Sequence, residues 1–312
     1  MRALVVDHGE AGPVRFADVD EPVPTSDQAL VEIRHIGLNF GELNYVRKWP
    51  ADTVHGHDAA GIVLRAASDG SGPPEGTRVA LGMAAHAWAE RVAVSPASLG
   101  TVPEGVDLAD SAALGIAGIT ALRVLRRRSL LARNVLITGA SGGVGHFAVQ
   151  LAALAGARVT ALVGSPHRAA GLRELGAHKI LTDLAQTEHH FDLVLDSVGG
   201  PLVAQAWSHL AEGGTIQLVG YSSGQDTTFP AEALSGFGEP RSITTYGDLT
   251  PGFVTPGVIT PTSADLTDLL DLMATGRLTA PVGLRGDWQD VHDAVQALFA
   301  RKVHGKIVLD VT

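Results

Sequence analysis

Val135-Leu136-Ile137-Thr138-Gly139-Ala140-Ser141-Gly142-Gly143-Val144-Gly145 is an apolar run that breaks into glycine and reopens as a helix. Val135 to Ile137 have the composition of a buried strand, and Val144, Phe147, Ala148, Leu151, Ala152 and Ala155 then share one helical face. Glycine permits the sharp bend between the two, and lets backbone N–H groups approach a pyrophosphate with no side chain in the way. Gly139, Gly142 and Gly145 recur at every third position, a G-x-x-G-x-x-G variant of the dinucleotide fingerprint. Strand, glycine turn and helix in this order predict a dinucleotide cradle, with Gly139, Ser141, Gly142, Gly143, Val144 and Gly145 against the cofactor.

Downstream of the cradle the pattern alternates between strand and helix, as a doubly wound parallel sheet requires. Strands are expected at Val159–Val163, Lys179–Leu181, Phe191–Asp196 and Thr215–Val219, and helices at Arg168–Leu175 and over 202–210. A long segment rich in Gly, Pro, Ser and Thr follows from Gly220 to Thr262, a length usually reserved for functional loops. Leu266, Leu269, Leu270 and Met273 mark an amphipathic helix. A strand near Leu278–Val282, a helix with Val291, Ala294, Val295, Leu298 and Phe299 inward, and a last strand Lys306–Val311 complete the chain.

Upstream, residues 1–109 read as short strands, Leu4–Val6, Ala29–His35, Gly61–Leu64, Arg78–Leu81 and Glu90–Val94, separated by turn residues. From Ser111 a small-residue helix through Leu114, Gly118, Ala121, Leu122 and Leu125 leads to the cradle strand, so a domain boundary is expected near residue 110.

The 312 residues, 45% hydrophobic and 18% charged, are ordinary for a globular protein with two sizeable cores. A net charge of −10 argues against nucleic-acid or anionic-membrane surfaces, which need clustered Lys and Arg. The absence of cysteine excludes disulfides and thiolate zinc sites. The opening apolar run, Ala3 to Val6, is too short for a signal peptide, and Ala112–Leu122 is too short to span a bilayer, which takes ~20 residues. A cytoplasmic protein without membrane or nucleic-acid partners is the expectation.

Several further stretches carry a resemblance: Ile36-Gly37-Leu38-Asn39-Phe40, His55-Gly56-His57-Asp58-Ala59-Ala60-Gly61-Ile62-Val63, Gly76-Thr77-Arg78-Val79, Trp88-Ala89-Glu90, Gly118-Ile119-Thr120-Ala121 and Leu193-Val194-Leu195-Asp196-Ser197-Val198-Gly199-Gly200. With the cradle, they make the chain resemble the medium-chain dehydrogenase/reductase superfamily over essentially its full length, in its zinc-independent quinone oxidoreductase and enoyl reductase branch. The resemblance implies an α/β fold in which a Rossmann doubly wound parallel sheet, residues 110–277, is inserted into a GroES-like β-rich catalytic domain. That domain would consist of residues 1–109 with 278–312 returning to it, and the cofactor would lie between the two. Asn39 and Thr120 would reach the nicotinamide half of the cofactor, and Val198, Gly220 and Tyr221 would line its crevice.

The choice of nicotinamide cofactor can be argued from residues. NAD-binding sheets place Asp or Glu about 20 residues beyond the glycine turn to bind the ribose 2′-hydroxyl. Here the region reads Leu162-Val163-Gly164-Ser165-Pro166-His167-Arg168, without a carboxylate. Arg168 suits a 2′-phosphate through a charge-assisted hydrogen bond and Ser165 can donate another, so NADPH is favoured, with Gly164, Ser165 and Arg168 as candidate cofactor-binding residues.

Zinc is a competing possibility, since His57-Asp58 falls where zinc-dependent relatives carry a metal-binding His followed by Glu. The position of their catalytic cysteine is Asn39 here, a poor zinc ligand, and their four-cysteine structural lobe is missing. No metal is expected. Without a Lewis acid, conjugate reduction is easier than reduction of an isolated carbonyl: hydride goes to the β-carbon of an α,β-unsaturated carbonyl, or to a quinone. Enoyl-thioester reductases of the superfamily often carry a Tyr-Pro pair where this chain has Trp49-Pro50, and indole cannot act as the acid. Tyr45 and Tyr246 are the substitute proton donors, with Asn39 as a further catalytic candidate.

The sequence thus predicts an NADPH-dependent quinone or enone reductase. An enoyl-thioester or polyketide enoyl reductase, a zinc alcohol dehydrogenase and a non-catalytic NADPH-binding protein are the alternatives. A homodimer is expected, paired through the β-branched segment Ser242–Tyr246 at the edge of the cofactor sheet.

Overall fold

The computed structural model describes residues 1–9, 12–235, 240–246 and 261–312. The chain forms two compact units, residues 1–119 with 248–312, and residues 120–247.

The first unit opens with a hairpin of β1 (Arg2–Val6) and β2 (Val14–Asp18). The long strand β3 (Ala29–Leu38) runs into a short helix α1 (Phe40–Asn44). Strands β4 (Asp58–Arg65), β5 (Arg78–Leu81), β6 (Arg91–Val94) and β7 (Leu99–Thr101) follow, then a one-turn helix α2 (Leu108–Ser111) capped by the Asp107 carboxylate. A π-helical turn at Leu114–Gly118 leads into α3 (Ile119–Arg126).

The second unit contains β8 (Asn134–Thr138), α4 (Gly143–Leu154), β9 (Arg158–Leu162), β10 (Lys179–Leu181), β11 (Phe191–Asp196), α5 (Pro201–Ser208), β12 (Leu210–Leu218) and β13 (Ser242–Thr245). The chain then returns to the first unit through α6 (Ser263–Ala274), β14 (Val282–Asp287), α7 (Val291–Phe299) and β15 (Lys306–Asp310).

In the first unit a seven-stranded sheet runs β14-β15-β3-β4-β5-β7, with β6 pairing β3. Its core gathers Leu4, Ile33, Ile36, Leu38, Leu81, Trp88, Trp288, Ile307 and Leu309, all buried. In the second unit a parallel sheet runs β10-β9-β8-β11-β12-β13, so the order reverses between β8 and β11. That reversal is the switch point at which such sheets bind ligands, outside the carboxyl ends of the strands. The architecture is the Rossmann sheet inserted into a GroES-like β-rich unit, and β13 is its edge strand, paired only to β12 among the described residues. None of the described helices is long and apolar enough to cross a membrane.

The division of the chain differs from the sequence reading at both junctions, falling after 119 rather than 109, and before 248 rather than 278. The second shift follows from α6, whose buried Leu266, Leu269 and Leu270 rest on glycines of the first unit. A Cβ on Gly100 would stand 2.6 Å from Leu266 Cβ, and one on Gly118 3.1 Å from Leu269. Thr262 fixes the helix entry, its hydroxyl donating to the Gly82 carbonyl at 2.8 Å and its N–H to Ala97 at 2.8 Å. Residues 247–260 of the long loop lie outside the described residues.

The small-residue helix expected from Ser111 to Leu125 is broken by the π-turn. There the Ile116 N–H leaves the helical ladder and donates to Asp58 Oδ1 at 2.7 Å. The expected helix at Arg168–Leu175 is a 3₁₀ turn, Pro166–Ala169, followed by further turns. Gly171 adopts a left-handed φ of 76°, which interrupts the ladder, and only Leu172 of the segment is fully buried to reward a longer helix. The strand expected near Leu278 begins at Val282. The short strands β2 and β7 have no counterpart in the reading of the sequence.

Candidate active site and cofactor cradle

In the first unit, strand register assembles a buried polar network. Leu38 pairs with Ile307, and Gly37 with Asp58. The residue after Leu38, Asn39, therefore leaves the sheet between the first residue of β4 and the first residue of β15. Asn39 Nδ2 donates to Glu42 Oε2 at 2.6 Å and to Asp58 Oδ2 at 2.7 Å, while Lys306 Nζ donates to Asn39 Oδ1 and, at 3.1 Å, to Asp58 Oδ2. Two carboxylates on one side and an ammonium on the other fix the orientation of the amide. Both its N–H donors are committed.

Glu42, one turn into α1, also holds His57, whose Nδ1 lies 3.1 Å from Glu42 Oε1. His55 Nε2 stands 3.3 Å from the Glu42 carbonyl. Trp49 packs against both rings, its centroid 5.1 Å from His55 and 6.0 Å from His57, and Trp88 backs His55 at 5.2 Å. Gly56 adopts a φ of 96° beside the Trp88 indole, where any side chain would collide.

Burial is the largest influence on Glu42, His55, His57 and Asp58, and the partners decide the outcome. Burial raises Glu42, but the hydrogen bond and charge of His57, then His55 and Asn39, overcome it and hold the carboxyl below its ordinary value. Burial opposes a charge on His57, but the Glu42 hydrogen bond and charge, with Asp58, lift it above the usual histidine value. Asp58 is raised by burial and by Glu42, against Lys306 and Asn39. Burial keeps His55 low. The shifts favour the charged forms of His57 and Glu42 and the neutral form of His55.

This donor set does not suit Zn²⁺. The amide oxygen at Asn39 faces an ammonium that a dication would have to displace, and the amide N–H groups face the carboxylates. His57 Nε2 is the one imidazole edge on offer from the His57–Glu42 pair.

In the second unit, the cradle sits at the carboxyl ends of β8, β9, β11 and β12. Gly142 N-caps α4 with extended geometry, which leaves the N–H groups of the first turn without intrahelical acceptors, the arrangement that binds phosphate. A Cβ on Gly145 would collide with the Gly139 carbonyl oxygen and stand 2.6 Å from Ala140 Cα, so this glycine closes strand against helix. A Cβ on Gly164 would meet nothing within 4 Å. Arg168 Nε donates to Ser141 Oγ at 2.8 Å, which ties the residue beyond β9 to the glycine turn after β8. Ser165 Oγ lies 3.4 Å from His167 Nε2.

A buried brace holds the strand ends together. Thr138 Oγ1 donates to Asp196 Oδ1 at 2.6 Å, the Gly199 N–H donates to Asp196 Oδ2 at 2.7 Å, and Ser197 Oγ donates to the Thr138 carbonyl at 3.0 Å. Burial raises the Asp196 carboxyl, with the Thr138 hydroxyl and the Gly199 and Val198 N–H groups opposing it. The loop after β11 is laced to the loop after β12, the Ser223 N–H donating to the Val198 carbonyl at 2.8 Å. A Cβ on Gly199 would touch Tyr221, and one on Gly220 would touch the Ser197 carbonyl. Val198, Gly220 and Tyr221 are thereby brought together. Thr120 Oγ1 is buried with no partner among the described residues, a polar group still awaiting an acceptor or donor.

The cradle residues thus fit a dinucleotide, with open N–H groups and an unfilled space at Gly164. The other sequence candidates are placed differently. Asn39 is the hub of the buried network. Tyr45 ends α1 beneath the Lys48 ammonium, 4.6 Å from its ring centroid. Tyr246 is buried in the second unit with the Arg127 guanidinium 5.4 Å from its ring centroid, and its N–H donates to Leu218. Glu42 and Lys306 carry the network but did not enter the sequence reading as site residues. The signal for Lys306 was a lysine opening an otherwise apolar strand, Lys306-Ile307-Val308-Leu309.

A Rossmann sheet with a glycine turn at its switch point, carried by a GroES-like β-rich unit, defines a nicotinamide-dependent oxidoreductase. Residues 25–121 match the family model of the alcohol dehydrogenase GroES-like domain, and residues 143–249 that of the zinc-binding dehydrogenases. The chain belongs to the medium-chain dehydrogenase/reductase superfamily. It is 27% identical to prostaglandin reductase-3 of Mus musculus over 94% of this chain and 84% of that protein. It is 26% identical to quinone oxidoreductase-like protein 2 of Bos taurus, over 99% and 89%. An alcohol dehydrogenase of a Moraxella strain is 24% identical over the full length of both. Among solved structures, mycobacterial Rv1454c in complex with NADPH superposes with a TM-score of 0.85 at 26% identity, covering 99% of this chain and 100% of that one.

Proposed function

We propose that the protein is a zinc-independent, NADPH-dependent reductase that delivers hydride to a quinone or to the β-carbon of an α,β-unsaturated carbonyl. The observation that carries this reading is the occupation of Asn39 by its own neighbours. A site whose amide is locked between Lys306, Asp58 and Glu42 has no seat for a Lewis acid, and acceptors that are already conjugated need none. The similarity to prostaglandin reductase-3 and to a quinone oxidoreductase-like protein supports the same choice of acceptor.

In this reading Gly139 and Gly142 shape the bend, the Gly142 N–H donating to the Gly139 carbonyl at 2.9 Å, the N–H groups of Gly143, Val144 and Gly145 hold the pyrophosphate, and Ser141, Ser165 and Arg168 hold the 2′-phosphate. Val198, Gly220 and Tyr221 line the crevice, and Thr120 donates its hydroxyl to the nicotinamide half. When bound, the cofactor supplies the hydride. The protein supplies orientation and proton management, which together account for most of what such a reductase must contribute. On the sequence argument alone the proton donor would be Tyr45 or Tyr246. A cytoplasmic homodimer paired through β13 completes the proposal.

The test is oxidation of NADPH and NADH, followed by the absorbance of the reduced nicotinamide, against quinones, enones, enoyl thioesters and simple aldehydes, with and without a chelator. Chelator-resistant turnover of quinones or enones with NADPH preferred supports the reading. Chelator-sensitive turnover of aldehydes would replace it with a zinc alcohol dehydrogenase, and preference for enoyl thioesters would narrow it to an enoyl-thioester reductase.

A further inference from the structure

His57 is anchored at one ring nitrogen and open at the other. Nδ1 is held by Glu42 Oε1 at 3.1 Å, and a carboxylate acceptor fixes Nδ1 as a donor. Nε2 makes no hydrogen bond among the described residues, and it is not one of the sealed, unpartnered polar atoms of the interior. His57 is 8% exposed and Nε2 is not sealed off, and with Nδ1 donating to Glu42 the second proton of the imidazolium is the one held at Nε2. The approach is aromatic, with Trp49 tilted at 60° to the His57 ring and His55 edge-on to it. Glu42 is itself immobilised, by Asn39 on its second oxygen and by its place in α1. A histidine kept only for packing would not need a buried carboxylate that is in turn fixed by a buried amide and a buried lysine.

We propose that His57 is the proton donor of the conjugate reduction, giving its Nε2 proton to the acceptor oxygen, with Glu42 as the positioning residue. The inference rests on the reductase reading above. The step balances as follows. A C–H bond forms at the β-carbon with the electron pair of the incoming hydride, the C=C pair moves toward the carbonyl carbon, and the carbonyl π pair moves onto oxygen. The Nε2–H bond breaks as an O–H bond forms, giving an enol that ketonises. With a quinone the same proton completes the hydroquinone. His57 is left neutral, still donating Nδ1–H to Glu42, and is recharged from water. Planar acceptors are favoured because the open edge is bordered by the Trp49 indole.

The groups facing His57 are Glu42 from α1, Asp58 from β4 and His55 from the segment before it. Lys306 of β15 faces Asp58, and His86, in the loop after β5, bears on His55. The two carboxylates outweigh burial, so His57 is raised above the ordinary histidine value. Loss of activity should follow as pH rises through the raised value.

The decisive measurement needs no variant. The ring nitrogens of His57 are titrated by NMR in the NADPH-bound protein, and the alkaline limb of kcat/KM for the best acceptor is measured at saturating NADPH, so that both report the same enzyme form. The proposal expects the limb and the ring titration to coincide. Glu42→Gln should move both to lower pH together. His57→Gln should bind NADPH within about twofold of wild type, lose kcat by a factor of about 10² to 10⁴ and lose the limb, with KM little changed. A His57 titration that does not track the limb, or a folded His57→Gln protein within about threefold of wild-type kcat, would overturn it. If the wild type reduces no acceptor with either nicotinamide, the reductase reading itself has failed, and the proposal goes with it.

Discussion

Replacing Lys306 by Met tests the buried network where its electrostatics are least forgiving. Lys306 and Asp58 are 2% and 0% exposed, and their charges meet at 3.1 Å. Methionine fills a similar volume, so little cavity forms and the loss is electrostatic. Asp58 keeps the Asn39 and Ile116 N–H donors, at 2.7 Å each, but no cation, and Asn39 Oδ1 loses its donor as well. Removing one partner of a buried pair costs about 3–5 kcal/mol, a large part of the roughly 5–15 kcal/mol that stabilises a domain. With urea slopes of about 1–3 kcal/mol/M, the midpoint should fall by about 1 M or more. Intrinsic fluorescence is a suitable signal, because Trp49, Trp88 and Trp288 lie in the unit that holds Lys306 and only Trp207 lies in the other. The penalty should depend on pH. Asp58 already has a raised value with Lys306 present, and without it the carboxyl takes up a proton still more readily. A protonated Asp58 needs no counter-ion, so the difference between Lys306→Met and wild type should shrink as pH falls through that raised value. Adding Asp58→Asn to Lys306→Met should recover most of the loss at neutral pH. A cost under about 1 kcal/mol, or one that is the same at all pH values, would refute the argument that Lys306 neutralises a buried charge.

Arg168→Ala removes the charged partner proposed for the 2′-phosphate. At about 1.5–3 kcal/mol for a charge-assisted hydrogen bond, it should weaken NADPH binding by roughly 10- to 100-fold and leave NADH within a few-fold, read by fluorescence titration. Gly145→Ala drives a methyl into the Gly139 carbonyl and should both destabilise the second unit and abolish cofactor binding, whereas Gly164→Ala, whose methyl meets nothing, should melt like wild type. The His57–Glu42 pair should shape thermal stability at both ends of the pH range. Glu42 is lowered in the folded state, so its contribution is full above the ordinary value of 4.5 and is lost as pH falls through the folded value. His57 is raised, so its contribution is full below 6.5 and is lost as pH rises through the folded value, and a His57→Gln melting curve should lack that alkaline decline. If β13 pairs two copies, sedimentation should give twice the chain mass, and a lysine at exposed Thr245 on that edge should return the monomer.

What could be read from the sequence is what is local. The strand at Val135, the glycine bend and the helix through Leu151 announce themselves by period and by the conformational demands of glycine, and the structure places them at the switch point of the sheet. The Arg168 side chain could be read as a cradle residue from its distance along the chain, although the helix expected to carry it is a 3₁₀ turn stopped by Gly171. The junctions between units could not be read in this way. Helix α6 follows the cofactor sheet in sequence, but the surfaces that accept its leucines are glycines at 82, 100 and 118, whose role is set by packing across more than a hundred residues. The same is true of the polar network. Asn39 looked like a cofactor ligand when read within its own motif. The pairing of Leu38 with Ile307 brings a lysine from the far end of the chain onto its carbonyl oxygen, and the pairing of Gly37 with Asp58 brings a carboxylate onto its amide. Strand register, which no local pattern specifies across that separation, thus makes Asn39 the hub of a charge network. With both amide N–H groups of Asn39 committed, the open edge of His57 is what this network leaves able to give a proton.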